Sequence, residues 1–187
     1  MTTITVPSSG DPITAAWGAS VANLLNANTA RTSSSGSITT SQTQVIGLTV
    51  PANALVAGST YRLEGWGVCT SSAANVVTFR VRVGTTTLTG NIAGSRAPTA
   101  TTTASSDGFK VEALFTVRTA GASGTCVAQV AHLGQSAQPF SAPTTVSPTN
   151  STVTVDTTVQ NILELTAVTA AGTTSVTFYG AAIHVVA

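Results

Sequence analysis

Apolar and polar residues alternate with a period of two along most of the chain beyond residue 44. The pattern is clearest where Val77, Phe79, Val81 and Val83 fall on one side while Thr78, Arg80 and Arg82 fall on the other. That is the signature of an antiparallel strand with one buried face. Phe109, Val111, Ala113, Phe115 and Val117 repeat it against Lys110, Glu112, Thr116 and Arg118, with Leu114 an apolar exception on the outer side. Tyr61, Leu63 and Cys69 share one parity in a strand over 60–70, whose glycines signal a bulge or close backbone approach around Trp66. As a strand aromatic, Trp66 reads as core. Further strands are predicted over 45–50, 125–133, 152–156, 159–168 and 175–186. Gly84 reads as a turn from which 85–89 returns as a short hairpin partner. Residues 91–107 read as a loop, as do 134–150, which carry Pro139, Pro143 and Pro148.

The first part of the chain follows another period. Asp11 stands as a helix N-cap with Pro12 at the first helical position, and Ile13, Trp17, Val21 and Leu24 recur at spacings of four, four and three. A helix over 11–26 with one apolar face is therefore predicted. That face docks either on the chain's own sandwich or, as an anchor, on another subunit. Residues 27–44 are rich in Ser and Thr without periodicity and read as an extended arm. The predicted organisation is a helix and arm over 1–44 and a mainly β domain over 45–187. The domain is an antiparallel, jelly-roll-like sandwich of about eight or nine strands. No strand–helix–strand alternation occurs, which excludes parallel α/β folds.

Composition adds one strong constraint. Only 7% of residues are Asp, Glu, Lys or Arg, against about 25% in an ordinary soluble domain. A surface of Ser, Thr, Asn, Gln and small apolar groups lacks the charge that keeps proteins apart, and suits one that is covered in an assembly. The net charge of +1 comes from dispersed residues, so neither a nucleic-acid nor an anionic membrane partner is expected. The N-terminal residues lack the basic start and apolar run of a secretory signal, and synthesis in the cytosol is expected.

Candidate chemistry is sparse. The carboxylates are Asp11, Glu64, Asp107, Glu112, Asp156 and Glu164. A glycosidase-type pair would have to be assembled in space, for instance Glu64 with Glu164. His132 and His184 lack the company of a metal site and read as surface or rim residues. Cys69 and Cys126 have no metal-type spacing; they are two buried thiols or one bridge. No phosphate-binding or nucleophile-elbow motif is present. No catalytic residue, metal or cofactor is expected. The candidate interface residues are Ile13, Trp17, Val21 and Leu24 on the helix, with Arg80 and Arg82, whose guanidinium groups could hold a partner's carboxylate or simply be solvated.

Two stretches carry a resemblance. Thr49 to Gly90, TVPANALVAGSTYRLEGWGVCTSSAANVVTFRVRVGTTTLTG, resembles the core of small jelly-roll virion proteins of tailed bacteriophages. Its Pro-initiated turn and Gly-Ser-Thr-Tyr strand entry lead to a Phe-x-Val-x-Val-Gly hairpin. The opening GDPITAAWGASVANLLN resembles N-terminal segments of phage head and tail accessory proteins. The resemblance implies a non-enzymatic virion protein, a capsid decoration protein bound to the major capsid protein, trimeric and located on the capsid surface. The alternative is a receptor- or carbohydrate-binding module at a tail tip or fibre, using the loops 91–107 and 134–150. An exposed aromatic would favour that alternative, and Phe140 is the aromatic those loops offer.

Overall fold

The computed structural model describes residues 29–31, 33–134, 140, 146–147 and 152–186. They form eleven strands: β1 (Thr29–Arg31), β2 (Thr43–Val50), β3 (Thr60–Ser71), β4 (Val77–Gly84), β5 (Asn91–Arg96), β6 (Asp107–Thr119), β7 (Gly124–Gly134), β8 (Val146–Ser147), β9 (Val153–Val155), β10 (Asn161–Thr169) and β11 (Thr174–Val185). The larger sheet runs β1-β11-β3-β6-β7-β8, with β9 also paired to β7; the smaller runs β2-β10-β4-β5. All pairings are antiparallel. The fold is a two-sheet β-sandwich, as the alternating pattern predicted.

The inward positions are those the pattern assigned. Val77, Phe79, Val81 and Val83 are buried on β4, and Phe109, Val111, Ala113, Phe115 and Val117 on β6. Phe79, Phe109 and Phe178 meet between the sheets with ring centroids 5.2–6.2 Å apart. Gly65 makes room for them, since a Cβ there would lie 2.8 Å from the Phe178 ring. Burying each such side chain stabilises the fold by about 1.5–3 kcal/mol.

Several expectations change. Residues 85–89 are no strand: the chain turns over 85–90, with Leu88 at φ 65°, and the partner of β4 is β5, inside the stretch read as a loop. The turn is drawn aside because the Leu88 amide donates to Glu164 Oε1 at 2.7 Å. Phe140 is fully buried, edge-on to Phe79 and Phe109, so it is no loop-tip aromatic. His132 points inward from β7 and is fully buried, where its Nδ1 accepts from Arg96 Nε at 3.2 Å and its ring meets Phe140. The described part of the 27–44 stretch lies on the sandwich: β1 pairs with β11, and Ile38 is buried and bridges Val176. The predicted helix over 11–26, with Ile13, Trp17, Val21 and Leu24, lies outside the described residues.

Candidate functional site: the outer face of the larger sheet

Along β3, the residues between the buried positions point outward: Arg62, Glu64, Trp66 and Val68. Their neighbours on β6 are Lys110, Glu112 and Leu114. The register sets Glu64 directly opposite Glu112, Trp66 opposite Lys110 and Arg62 opposite Leu114. Like charges facing each other across a strand pair repel, and two bases placed diagonally relieve this. Lys110 Nζ lies 3.0 Å from Glu64 Oε2 and 3.4 Å from Glu112 Oε1. Arg62 contacts Glu112 and lies 3.4 Å from Glu64 Oε2. His184 Nε2, on β11, approaches Glu64 Oε1 at 3.4 Å. Four of the chain's thirteen charged side chains, seven basic and six acidic, thus form one self-neutralising quartet.

The quartet sets its own protonation. Burial alone would push the Glu64 carboxyl up, but the hydrogen bond from Lys110 and the charges of Lys110, Arg62 and His184 outweigh it and hold the carboxyl below its ordinary range. The hydrogen bond to Glu64 raises the Lys110 ammonium, and the bond to Glu112 raises the Arg62 guanidinium.

An apolar patch lies on either side of the quartet. One consists of Leu114, Ala131 and Val186, which line an open depression with Arg62 and Gln129. Leu114 is 46% exposed, so its apolar side chain is not absorbed into the core. The other centres on Trp66, 46% exposed, and Tyr179, 55% exposed. These two line an open groove of about 530 Å³ with Lys110, Leu133 and Val68. Trp66 is therefore a surface residue, contrary to the expectation of a core aromatic.

Both aromatics owe their placement to local backbone. The β3–β11 register shifts between Phe178 and Gly180, so Tyr179 is the extra residue of a β-bulge. Phe178 stays in the core while Tyr179 is turned out. Gly180 then faces Trp66, and a Cβ at that position would collide with indole Cζ2, Cε2 and Cη2. The indole covers the glycine and is held against the sheet. Among the described residues, neither the Trp66 indole N–H nor the Tyr179 hydroxyl has a hydrogen-bond partner.

The outer face of the smaller sheet is built otherwise. Arg80 and Arg82 point outward from β4 but are half-buried, and both donate to Gln42 Oε1 at 2.9 Å. Arg82 also donates to the Gly90 carbonyl at 2.8 Å, while Gln42 Nε2 donates to the Leu88 carbonyl at 2.9 Å. Burial and the neighbouring Arg80 hold the Arg82 guanidinium below its usual value, against the pull of Glu164. Glu164, 1% exposed, sits opposite Arg82 and accepts from Gln44 Nε2 at 2.7 Å as well as from Leu88. These guanidinium groups are thus occupied in fastening the 85–90 turn across the sheet.

Glu64 and Glu164 lie on opposite outer faces and form no pair. Cys69 and Cys126 are buried free thiols, and burial pushes them up, Cys69 to about 11 with help from the Asp107 charge and Cys126 to about 12. No group of three or more His, Cys, Asp or Glu able to hold a metal occurs among the described residues.

Tyr179 went unread in the sequence, although a signal was there. Val176 and Phe178 are apolar at even positions and Ala181 and Ile183 at odd ones, a change of parity that requires an extra residue between them. The parity of Tyr61, Leu63 and Cys69 likewise places Trp66 outward.

No protein-family model and no curated protein matches the chain. Among solved structures, it is similar to the CBM2 module of the evolved Dit of Lactobacillus casei BL23 phage J-1, at 11% identity and a TM-score of 0.35, over 73% of this chain and 66% of that one. The chain spans just under two thirds of that structure. At this level the likeness says nothing of what the chain binds.

Proposed function

We propose that this chain is a non-enzymatic structural protein of a phage virion, a jelly roll that attaches to the capsid shell through the outer face of its larger sheet. The observation that carries the reading is that face itself. Its quartet of charges cancels, and among the described residues three of its outward positions hold exposed Trp66, Leu114 and Tyr179. Exposed apolar surface of this kind marks an interaction site. The strand order supports the jelly-roll reading: β1 pairs with β11 and β2 with β10, first with last and second with second-last, in opposite sheets. The low overall charge and the resemblance of residues 49–90 to phage jelly-roll proteins point the same way.

In this role the protein acts by burial. A multimer, expected to be a trimer, would straddle neighbouring capsid subunits with contacts of about 1,200–2,000 Å² each. Those contacts must be lost before the shell can spread. Cosedimentation of the purified protein with empty capsids tests the reading. Leu114→Arg, a change on an exposed position, should cut binding at least about tenfold while leaving the fold intact. Equal binding by the variant would remove this face from the attachment.

One observation favours a second reading, a glycan-binding module at a tail tip or fibre. Trp66 and Tyr179 share a groove on the surface, with two donors unused among the described residues. Sugar rings present a C–H face to an aromatic and hydroxyls at their rim, and such a groove meets both requirements.

A further inference from the structure

We propose that the Trp66–Tyr179 groove selects an uncharged hexopyranosyl unit, which covers the indole between Tyr179 and Lys110. The proposal rests on the second reading above and specifies its ligand.

Three features lead to it. The first is preorganisation. The indole lies across Gly180, and the bulge turns Tyr179 out to line the same groove. A ligand meeting the indole does not have to order it, which removes a cost that a flexible side chain would add. The second is unspent hydrogen bonding. The indole N–H and the phenol hydroxyl have no partner among the described residues, and both side chains line an apolar groove. A ligand with an apolar face and a ring of hydroxyls uses the rings and the donors together, whereas an aliphatic side chain would leave the donors unpaired.

The third feature is charge. Among the described residues, Lys110 is the one ionic residue lining the groove, and its ammonium is already shared between Glu64 at 3.0 Å and Glu112 at 3.4 Å. No net positive charge is left for a carboxylate or phosphate on the ligand. A ligand anion would give up its hydration without gaining an unpaired cation, because Glu64 and Glu112 already take up the ammonium. Those carboxylates and the ammonium suit hydroxyl groups, which both donate and accept. The groove therefore discriminates in favour of neutral sugars and against sialylated, uronic or phosphorylated ones.

The full chain, labelled with nitrogen-15, allows a direct test. Its indole N–H signals come from Trp17 and Trp66, and Trp66→Phe assigns them. The probes are maltohexaose, mannohexaose, galactotetraose and chitotetraose as neutral glycans, with sialyllactose and a galacturonic acid tetramer as acidic ones, each to about 20 mM, well past a millimolar dissociation constant. At least one neutral glycan should shift the Trp66 signal saturably. Trp66→Ala and Tyr179→Ala should each weaken that binding at least about tenfold, and Leu114→Ala should leave it unchanged. Tyr179→Ala keeps the test decisive if Trp66→Ala misfolds, because Tyr179 is more than half exposed. Binding of acidic glycans alone would overturn the charge selection while keeping a glycan site. Binding unaltered by both aromatic variants would place the site elsewhere and overturn the proposal. No binding of any probe would overturn both the proposal and the reading beneath it.

Discussion

On the smaller sheet, the outward carboxylate Glu164 is buried under the 85–90 turn. On the larger sheet, Glu64 and Glu112 remain at the surface in a quartet with Arg62 and Lys110. Both faces also use a glycine to let a longer side chain lie down: Gln44 over Gly47 on one, Trp66 over Gly180 on the other. On the smaller sheet the recumbent group donates to Glu164 and is part of an internal clamp. On the larger sheet it faces outward, with its donor unused among the described residues. Similar residues thus give a closed polar lock on one side and a more open platform on the other, because the 85–90 turn folds over the smaller sheet and is fastened there. The difference separates the face that holds the molecule together from the face available to partners.

The largest expected effect should fall on the closed face. Glu164→Ala leaves the Leu88 amide, Gln44 and the half-buried Arg82 without their carboxylate, and should cost about 3 kcal/mol in urea unfolding. Glu64→Ala on the open face should cost about 1 kcal/mol or less, as expected for a surface ion pair. Equal losses would break the comparison.

Next in size is Gly180→Ala, whose Cβ must displace the indole, at a cost of about 1–2 kcal/mol. In a Trp17→Phe background, acrylamide quenching of Trp66 should rise. Unchanged quenching would show that the indole is not seated on Gly180. Alkali acts on a different part of the molecule, the buried thiols and Tyr61. Cys69, Cys126 and Tyr61 are all raised by burial, so the folded chain holds protons that the unfolded chain releases first. Their contribution is present below about pH 9, the ordinary thiol value, and is lost as pH rises through the folded values of about 11 and 12. The urea midpoint should fall between pH 9 and 11, and the thiols should react with a thiol reagent only on unfolding.

The smallest effect belongs to acid. Glu64 and Asp156 are depressed, Glu64 by Lys110 and its neighbours against the effect of burial, and Asp156 by hydrogen bonds from Thr158. Their contribution is present above the ordinary carboxylate range and is lost as pH falls through the lower folded values. Glu64→Gln should flatten this part of a stability–pH curve below about pH 4.5.

The alternation of Val77 to Val83 and Phe109 to Val117 made the sandwich legible, because period two with one apolar face has few other solutions. The turn at 85–90 was not legible, since its course depends on Glu164, which lies more than seventy positions away. Arg80 and Arg82 read as outward, but their attachment to Gln42 depends on how the smaller sheet places β2 and β4 on either side of β10. Trp66 differs: as a strand aromatic it reads as core, yet its parity, opposite to that of Tyr61, Leu63 and Cys69, is the better physical guide. His132 was placed at the rim because a strand end looks exposed in sequence; β5 and Phe140 close over it in space.

The nested strand order has a consequence for how the chain acquires its structure in time. β10 lies between β2 and β4, and β11 lies between β1 and β3, so two strands made after their neighbours are interior members of the two sheets. Until residues 161–185 emerge, neither sheet can close, and the edges of β2, β3 and β4 stay unpaired. Folding of the sandwich must wait for these residues to be made, and the chain without them presents the open edges on which aggregation begins. Any truncation that removes β10 and β11 would divide both sheets and not simply shorten one.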